Sequence, residues 1–169
     1  GIFRMIRSYS TVMMKRLEKE ITDMMTPAYG QSELVKKLCA EFQTTDTCAV
    51  HVRGGDIVGP GRAFFERALV RMEKERPGLR YLVFTNDKEA AKEALEGEHT
   101  ERKMTYISEL GAFSDIDEFF LMAACRHQII SNSSYSTWAA YLNPNPEKVV
   151  IMPEYKGCEQ IRLKEWIVL

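Results

Sequence analysis

Short runs rich in β-branched and aromatic residues alternate with stretches of helical period, and this alternation leaves few folds open to the chain. The apolar runs are Cys48–Arg53, Tyr81–Thr85, Met104–Ile107, His127–Ser131 and Lys148–Met152. Helical stretches separate them. Arg62–Glu75 carries Phe64, Phe65, Ala68, Leu69 and Met72 as one stripe and ends at Pro77-Gly78. Others run from Asn86-Asp87 to about Leu95, from Ser114 or Asp115 to about Cys125, and from Ser133 to Tyr141. The pattern predicts an α/β fold with a doubly wound, mainly parallel sheet of about five strands. The tail after Met152 reads as irregular. Upstream, Ser32 is placed to cap a helix through Phe42. Residues 4–25 carry Met5, Ile6, Tyr9, Val12, Met13, Leu17, Ile21 and Met24 at amphipathic spacing. Residues 1–47 therefore read as an N-terminal helical segment and residues 48–169 as the sheet-bearing domain.

Composition narrows the partners. A net charge of −1, from 23 Lys and Arg against 24 Asp and Glu, offers no broad basic field, which excludes nucleic acid. No apolar run approaches the roughly 20 residues that span a bilayer. Cys39, Cys48, Cys125 and Cys158 form no CxxC pair, which argues against zinc and thioredoxin-type chemistry. They are expected as buried thiols rather than disulfides. The chain opens Gly1-Ile2-Phe3 with no initiator Met, as a piece of a longer protein would.

In an open α/β sheet, ligands bind at the carboxyl ends of the strands. Arg53, Asn86-Asp87 and Asn132-Ser133-Ser134 all stand just past such ends. In CAVHVRGGD, His51 and Arg53 share one face of the strand while Val50 and Val52 share the other. A guanidinium is a permanently charged, bidentate clamp for phosphate; the alternative is an ion pair with Asp56 in the same turn. His51 has two readings as well, a ligand contact or a histidine hydrogen-bonded at the sheet edge. The loop Gly54–Gly61 fits neither GxGxxG nor GxxxxGK[ST], which excludes a P-loop NTPase and a classical NAD site. Ser133 and Ser134 bring hydroxyls and free N–H groups to a helix start, an anion site that needs no metal, or else a simple cap. Asp115-Ile116-Asp117 spells DxD, either a divalent-metal motif or carboxylates closing a helix N-terminus. Asn86 and Asp87 either bind a ligand hydroxyl or cap the next helix. No GxSxG and no Cys/His signature supports a hydrolase.

Taken together, the motifs resemble those of the family 11 glycosyltransferases, the α-1,2-fucosyltransferases. HVRGGD is similar to that family's H-x-R-R-x-D motif, and FFERAL (Phe64–Leu69) to the aromatic start of its next helix. VFTND with Glu89 resembles its FSDD strand end. The longest likeness is EFFLMAACRHQIISNSSYSTWAAYLNPNPEKVVIMPEY, which follows the family's D-x-x-LM-x-x-C-x-H-x-II-x-NS-[ST]-FSWW-A-A-W-LN region in order and spacing. The resemblance covers about residues 48–155.

The resemblance implies the Rossmann-like, donor-binding half of a GT-B enzyme. Its donor is GDP-fucose, its acceptor a galactoside-containing glycan, and transfer inverts the anomeric carbon without a metal or other cofactor. Carried over, Arg53 becomes the catalytic leaving-group clamp. His51, Ser133, Ser134 and Tyr135 line the phosphate and sugar side, with Asp56 bracing the Arg53 loop or acting as a general base. Asn86, Asp87 and Glu118 complete the donor-binding set, Asp87 and Glu118 on the guanosine side. Three departures stand out: Gly54 for the family's second Arg, Glu118 for an Asp and Thr137 for the first Trp of its WW pair. Losing the second Arg removes a positive charge beside the diphosphate, and Gly54→Arg is expected to restore affinity. The family's acceptor-shaping half has no counterpart in residues 1–47. A full-length eukaryotic relative would be membrane-anchored in the Golgi lumen, a bacterial one cytoplasmic or at the inner-membrane periphery.

Overall fold

The computed structural model describes residues 20, 31–55, 59–95 and 102–169. The helix expected over residues 4–25 lies outside the described residues except for Glu20, and Asp56 also lies outside them. The described fold opens with α1 (Glu33–Thr44), whose start is capped as expected: the Ser32 side chain accepts from the Val35 N–H. Then come β1 (Thr47–Val52), α2 (Arg62–Glu75), β2 (Arg80–Thr85), α3 (Lys88–Leu95) and β3 (Met104–Tyr106). The chain ends with α4 (Asp115–Ala124), β4 (His127–Ile129), α5 (Ser134–Leu142), β5 (Val150–Met152) and β6 (Ile167–Val168).

The strands form one sheet in the order β3-β2-β1-β4-β5-β6, and every pairing is parallel. This is the doubly wound α/β fold that the alternation predicts, with one strand more than expected. The tail read as irregular supplies β6. There the Leu169 N–H donates to the Met152 carbonyl, and the Glu154 N–H donates to the Leu169 carbonyl. A two-residue strand has no period of its own to read, and the neighbour it pairs with creates it.

Side-chain alternation divides the core between the two faces of the sheet. Cys48, Val50 and Val52 join Tyr81 and Val83 against the α2 stripe of Phe65, Leu69 and Met72. Ala49, Leu82 and Phe84 point the other way, toward Phe42 of α1, Met122 of α4 and Ala139 of α5. Each large side chain fully buried this way contributes roughly 1.5–3 kcal/mol, so the stripes hold the helices to the sheet. All four cysteines are free thiols, with Cys48, Cys125 and Cys158 buried. The membrane and Golgi attributes implied by the resemblance find no counterpart among the described residues. No helix there is long and apolar enough to cross a membrane.

Topology selects one crevice. From β1 the chain crosses by α2 to β2 on one side, while from β4, on the other side of β1, it crosses by α5 to β5. The winding reverses between β1 and β4, and the space beyond their carboxyl ends is where such sheets bind ligands.

Candidate functional site

His51 is 5% exposed within a strand buried at every position. A buried imidazole needs a hydrogen-bond partner, and Ser131 just past β4 supplies it, with its Oγ 2.8 Å from Nδ1. Burial, reinforced by the charge of Arg53, lowers the His51 pKa from 6.5 to about 4. At neutral pH the ring is therefore uncharged and brings hydrogen bonding, with no positive charge, to the crevice. The Tyr135 ring lies 5.7 Å from it, and the Tyr135 hydroxyl donates to the Asp115 carbonyl. Phe119 of α4 also meets that ring at 5.5 Å, edge-on. Through these contacts the first turn of α5 lies over the end of β1 and is tied to the start of α4.

Ser133 is the residue before α5 and is buried, yet its side chain makes no capping bond. Its carbonyl does the local work, accepting from the Thr137 N–H at 3.1 Å, from Thr137 Oγ1 at 3.0 Å and from Ser136 Oγ at 3.3 Å. The Thr137 hydroxyl is thus engaged inside the helix. Ser134 is exposed. The leading N–H groups of a helix have no partner within it. Here the Ser133 side chain does not close them, and together with the helix dipole they favour an anion.

The DxD carboxylates divide between two tasks. Asp117 belongs to a capping box: its Oδ2 accepts from the Ser114 N–H at 3.0 Å and from Ser114 Oγ at 2.8 Å, while Ser114 Oγ accepts from the Asp117 N–H. Asp115 is exposed and offers its carbonyl to Tyr135. No group of three His, Cys, Asp or Glu is gathered for a metal among the described residues. Glu118 is half-buried, and burial, then the neighbouring Asp115, raise its pKa above the ordinary carboxylate value.

On the β2 side, a Cβ on Gly54 would stand 2.6 Å from the Asp87 Cβ and 3.2 Å from the Ala90 Cβ. The expectation that Gly54→Arg restores affinity is reversed by this packing: the strand end and the helix start approach too closely for any side chain there. The Asp87 Oδ1 accepts from the Ala90 N–H at 3.0 Å and so closes the start of α3. The carboxamide of Asn86 is bonded to the Gly54 backbone in both directions.

The structure therefore sets His51 near Arg53 and Tyr135, Tyr135 near Glu118, and Ser133 and Ser134 at the helix start that carries Tyr135, while Asn86 and Asp87 hold the loop and helix beside Gly54. Reading the sequence missed Ser131. The signal was its place at the end of a run parallel to Cys48–Arg53, which brings it within one residue of His51. The Asp115 carbonyl had no sequence signal, because a backbone acceptor is not encoded by residue type.

Glycosyl transferase family 11 matches this chain over residues 20–169. The chain is also 28% identical over 151 residues to the O-antigen biosynthesis glycosyltransferase WbnK of Escherichia coli, across 78% of this chain and 48% of that protein. It thus spans about half the length of the curated relative it matches.

Proposed function

The chain belongs to glycosyl transferase family 11, and on that premise we propose that it is the donor-binding half of an inverting, metal-independent α-1,2-fucosyltransferase. The donor is GDP-fucose and the acceptor a galactoside hydroxyl. One observation carries the reading: Arg53 follows β1 at the point where the winding reverses, next in the sheet to β4 and the α5 start that Ser133 does not cap.

The chemistry asks for such a pairing. The acceptor hydroxyl oxygen bonds to the anomeric carbon and gives its proton to a general base or to water, as the bond from that carbon to the β-phosphate oxygen breaks. The electron pair stays on the departing GDP, and charge that grows in the transition state must be met by fixed donors. A guanidinium and a set of helix N–H groups meet it from two directions. His51, Ser131 and Tyr135 shape the wall between them, and Glu118 stands on the side assigned to guanosine. Held in low dielectric with its pKa raised, the Glu118 carboxyl is suited to pair with donors on a base edge.

Calorimetry with GDP and with ADP, on the chain and on Arg53→Ala, tests the donor site. Binding selective for GDP and lost in the variant is expected; equal affinity for ADP sinks the guanosine assignment. Competition among GDP-sugars then separates fucose from other donors.

A second reading is favoured by Gly54, where the fold has no room for the family's second Arg. In it the chain is a non-catalytic relative that binds nucleotide or glycan. Turnover of GDP-fucose with a β-galactoside by the full-length protein would exclude that reading.

A further inference from the structure

We infer that Asn86 is a positioning residue for Arg53, acting through the backbone of Gly54. What it positions rests on the donor-site reading above; the arrangement itself does not.

The β1–β2 ladder runs in register as far as Val52 and Thr85. Beyond Thr85, β2 turns away. The Thr85 hydroxyl accepts from the Asp87 N–H at 3.0 Å and donates to the Asp87 carbonyl at 2.8 Å, while Asp87 closes α3. The backbone of β2 is thus committed to a turn where the next rung would fall. Gly54 is buried, and its N–H and C=O still need partners. The Asn86 side chain provides both: Oδ1 accepts from the Gly54 N–H at 3.0 Å, and Nδ2 donates to the Gly54 carbonyl at 3.1 Å.

A carboxamide presents donor and acceptor on one plane, as a peptide group does. Asn86 therefore adds a rung made by a side chain after the backbone ladder has ended. Arg53 lies between the last backbone rung and this one, so the chain is held on both sides of it. The next residue, Gly55, already has φ 84°, a conformation that turns the chain away. Glycine at position 54 belongs to the same device. With no Cβ, its peptide comes close enough to the β2 turn for the short Asn side chain to reach it.

Other residues at position 86 do less. Alanine offers neither bond. Aspartate keeps an acceptor for the Gly54 N–H but sets a second oxygen against the Gly54 carbonyl. Two measurements on Asn86→Ala and Asn86→Asp test the inference: amide hydrogen exchange at Gly54, and GDP calorimetry combined with Arg53→Ala.

In Asn86→Ala the Gly54 amide should exchange at least about tenfold faster with the amides of β1 unchanged, and Asn86→Asp should fall between that and the parent. GDP affinity should drop about tenfold in Asn86→Ala. The losses from Asn86→Ala and Arg53→Ala should combine to less than their sum, because one residue acts through the other. Unchanged exchange at Gly54, or full additivity of the two losses, would overturn the inference. If the parent chain does not bind GDP, the donor reading fails, and the Gly54 exchange rate alone decides the role of Asn86.

Discussion

α4 and α5 lie side by side on one face of the sheet, and each follows a serine, yet their N-termini are built for opposite ends. At α4, Ser114 and Asp117 close on each other, so the leading N–H groups and the dipole are met from within. At α5, Ser133 has no such partner, and its carbonyl turns to Ser136 and Thr137. The acidic residues that favour a helix start crowd the first turn of α4, and α5 has none in its own. A closed start contributes to stability, and the start that Ser133 does not close is the one the proposed donor site uses. The same residue type thus closes one helix start and leaves the other to the proposed anion site, according to what stands three residues on.

The largest effect is expected from Arg53→Ala, with a loss of at least about 100-fold in GDP affinity by calorimetry. Affinity near that of the parent would leave the α5 start as the whole anion site.

Acid should act next. The folded chain holds His51 and His127 neutral down to about pH 4, His51 through burial and then Arg53, His127 through burial and then Arg76 and Arg126. The unfolded chain protonates both near pH 6.5, so between 6.5 and 4 it binds more protons, and stability is lost as the pH falls. The loss should approach the order of 3 kcal/mol for His51. Denaturant midpoints across that window check it, and His51→Gln should remove the His51 share. A flat profile there would mean that the α5 start does not rest on a neutral histidine.

Gly54→Ala should destabilise by about 1–3 kcal/mol through overpacking against Asp87, read as a lower denaturant midpoint.

The smallest pair of effects is the sharpest. Ser133→Ala should lower GDP affinity several-fold with little change in thermal midpoint. Ser114→Ala should cost about 1 kcal/mol of stability and leave GDP affinity alone. If both serines affect only stability, the two helix starts are alike and the contrast drawn here is wrong.

Much of this molecule is legible before it folds. The bounds of α2 and its buried stripe follow from spacing alone, because a long helix repeats its period often enough to declare itself. The five longer apolar runs became strands for a similar reason. β6 did not announce itself, since two residues have no period. At the site, residue type and strand-end position were enough to single out Arg53, His51, Ser133 and Ser134. They could not say which serine caps its helix, because Ser32, Ser114 and Ser133 differ only in what their side chains meet.

By itself, then, the sequence determined the α/β class, the order of its elements and the strand ends that carry polar residues, all set by local periodicity and residue chemistry. Tertiary structure alone decided two things. It made His51 neutral by burying it against Ser131, and it turned Gly54 from a missing charge into a point of close packing. Each depends on distances between residues far apart in the chain. Such distances exist only once the sheet has brought β1 between β2 and β4.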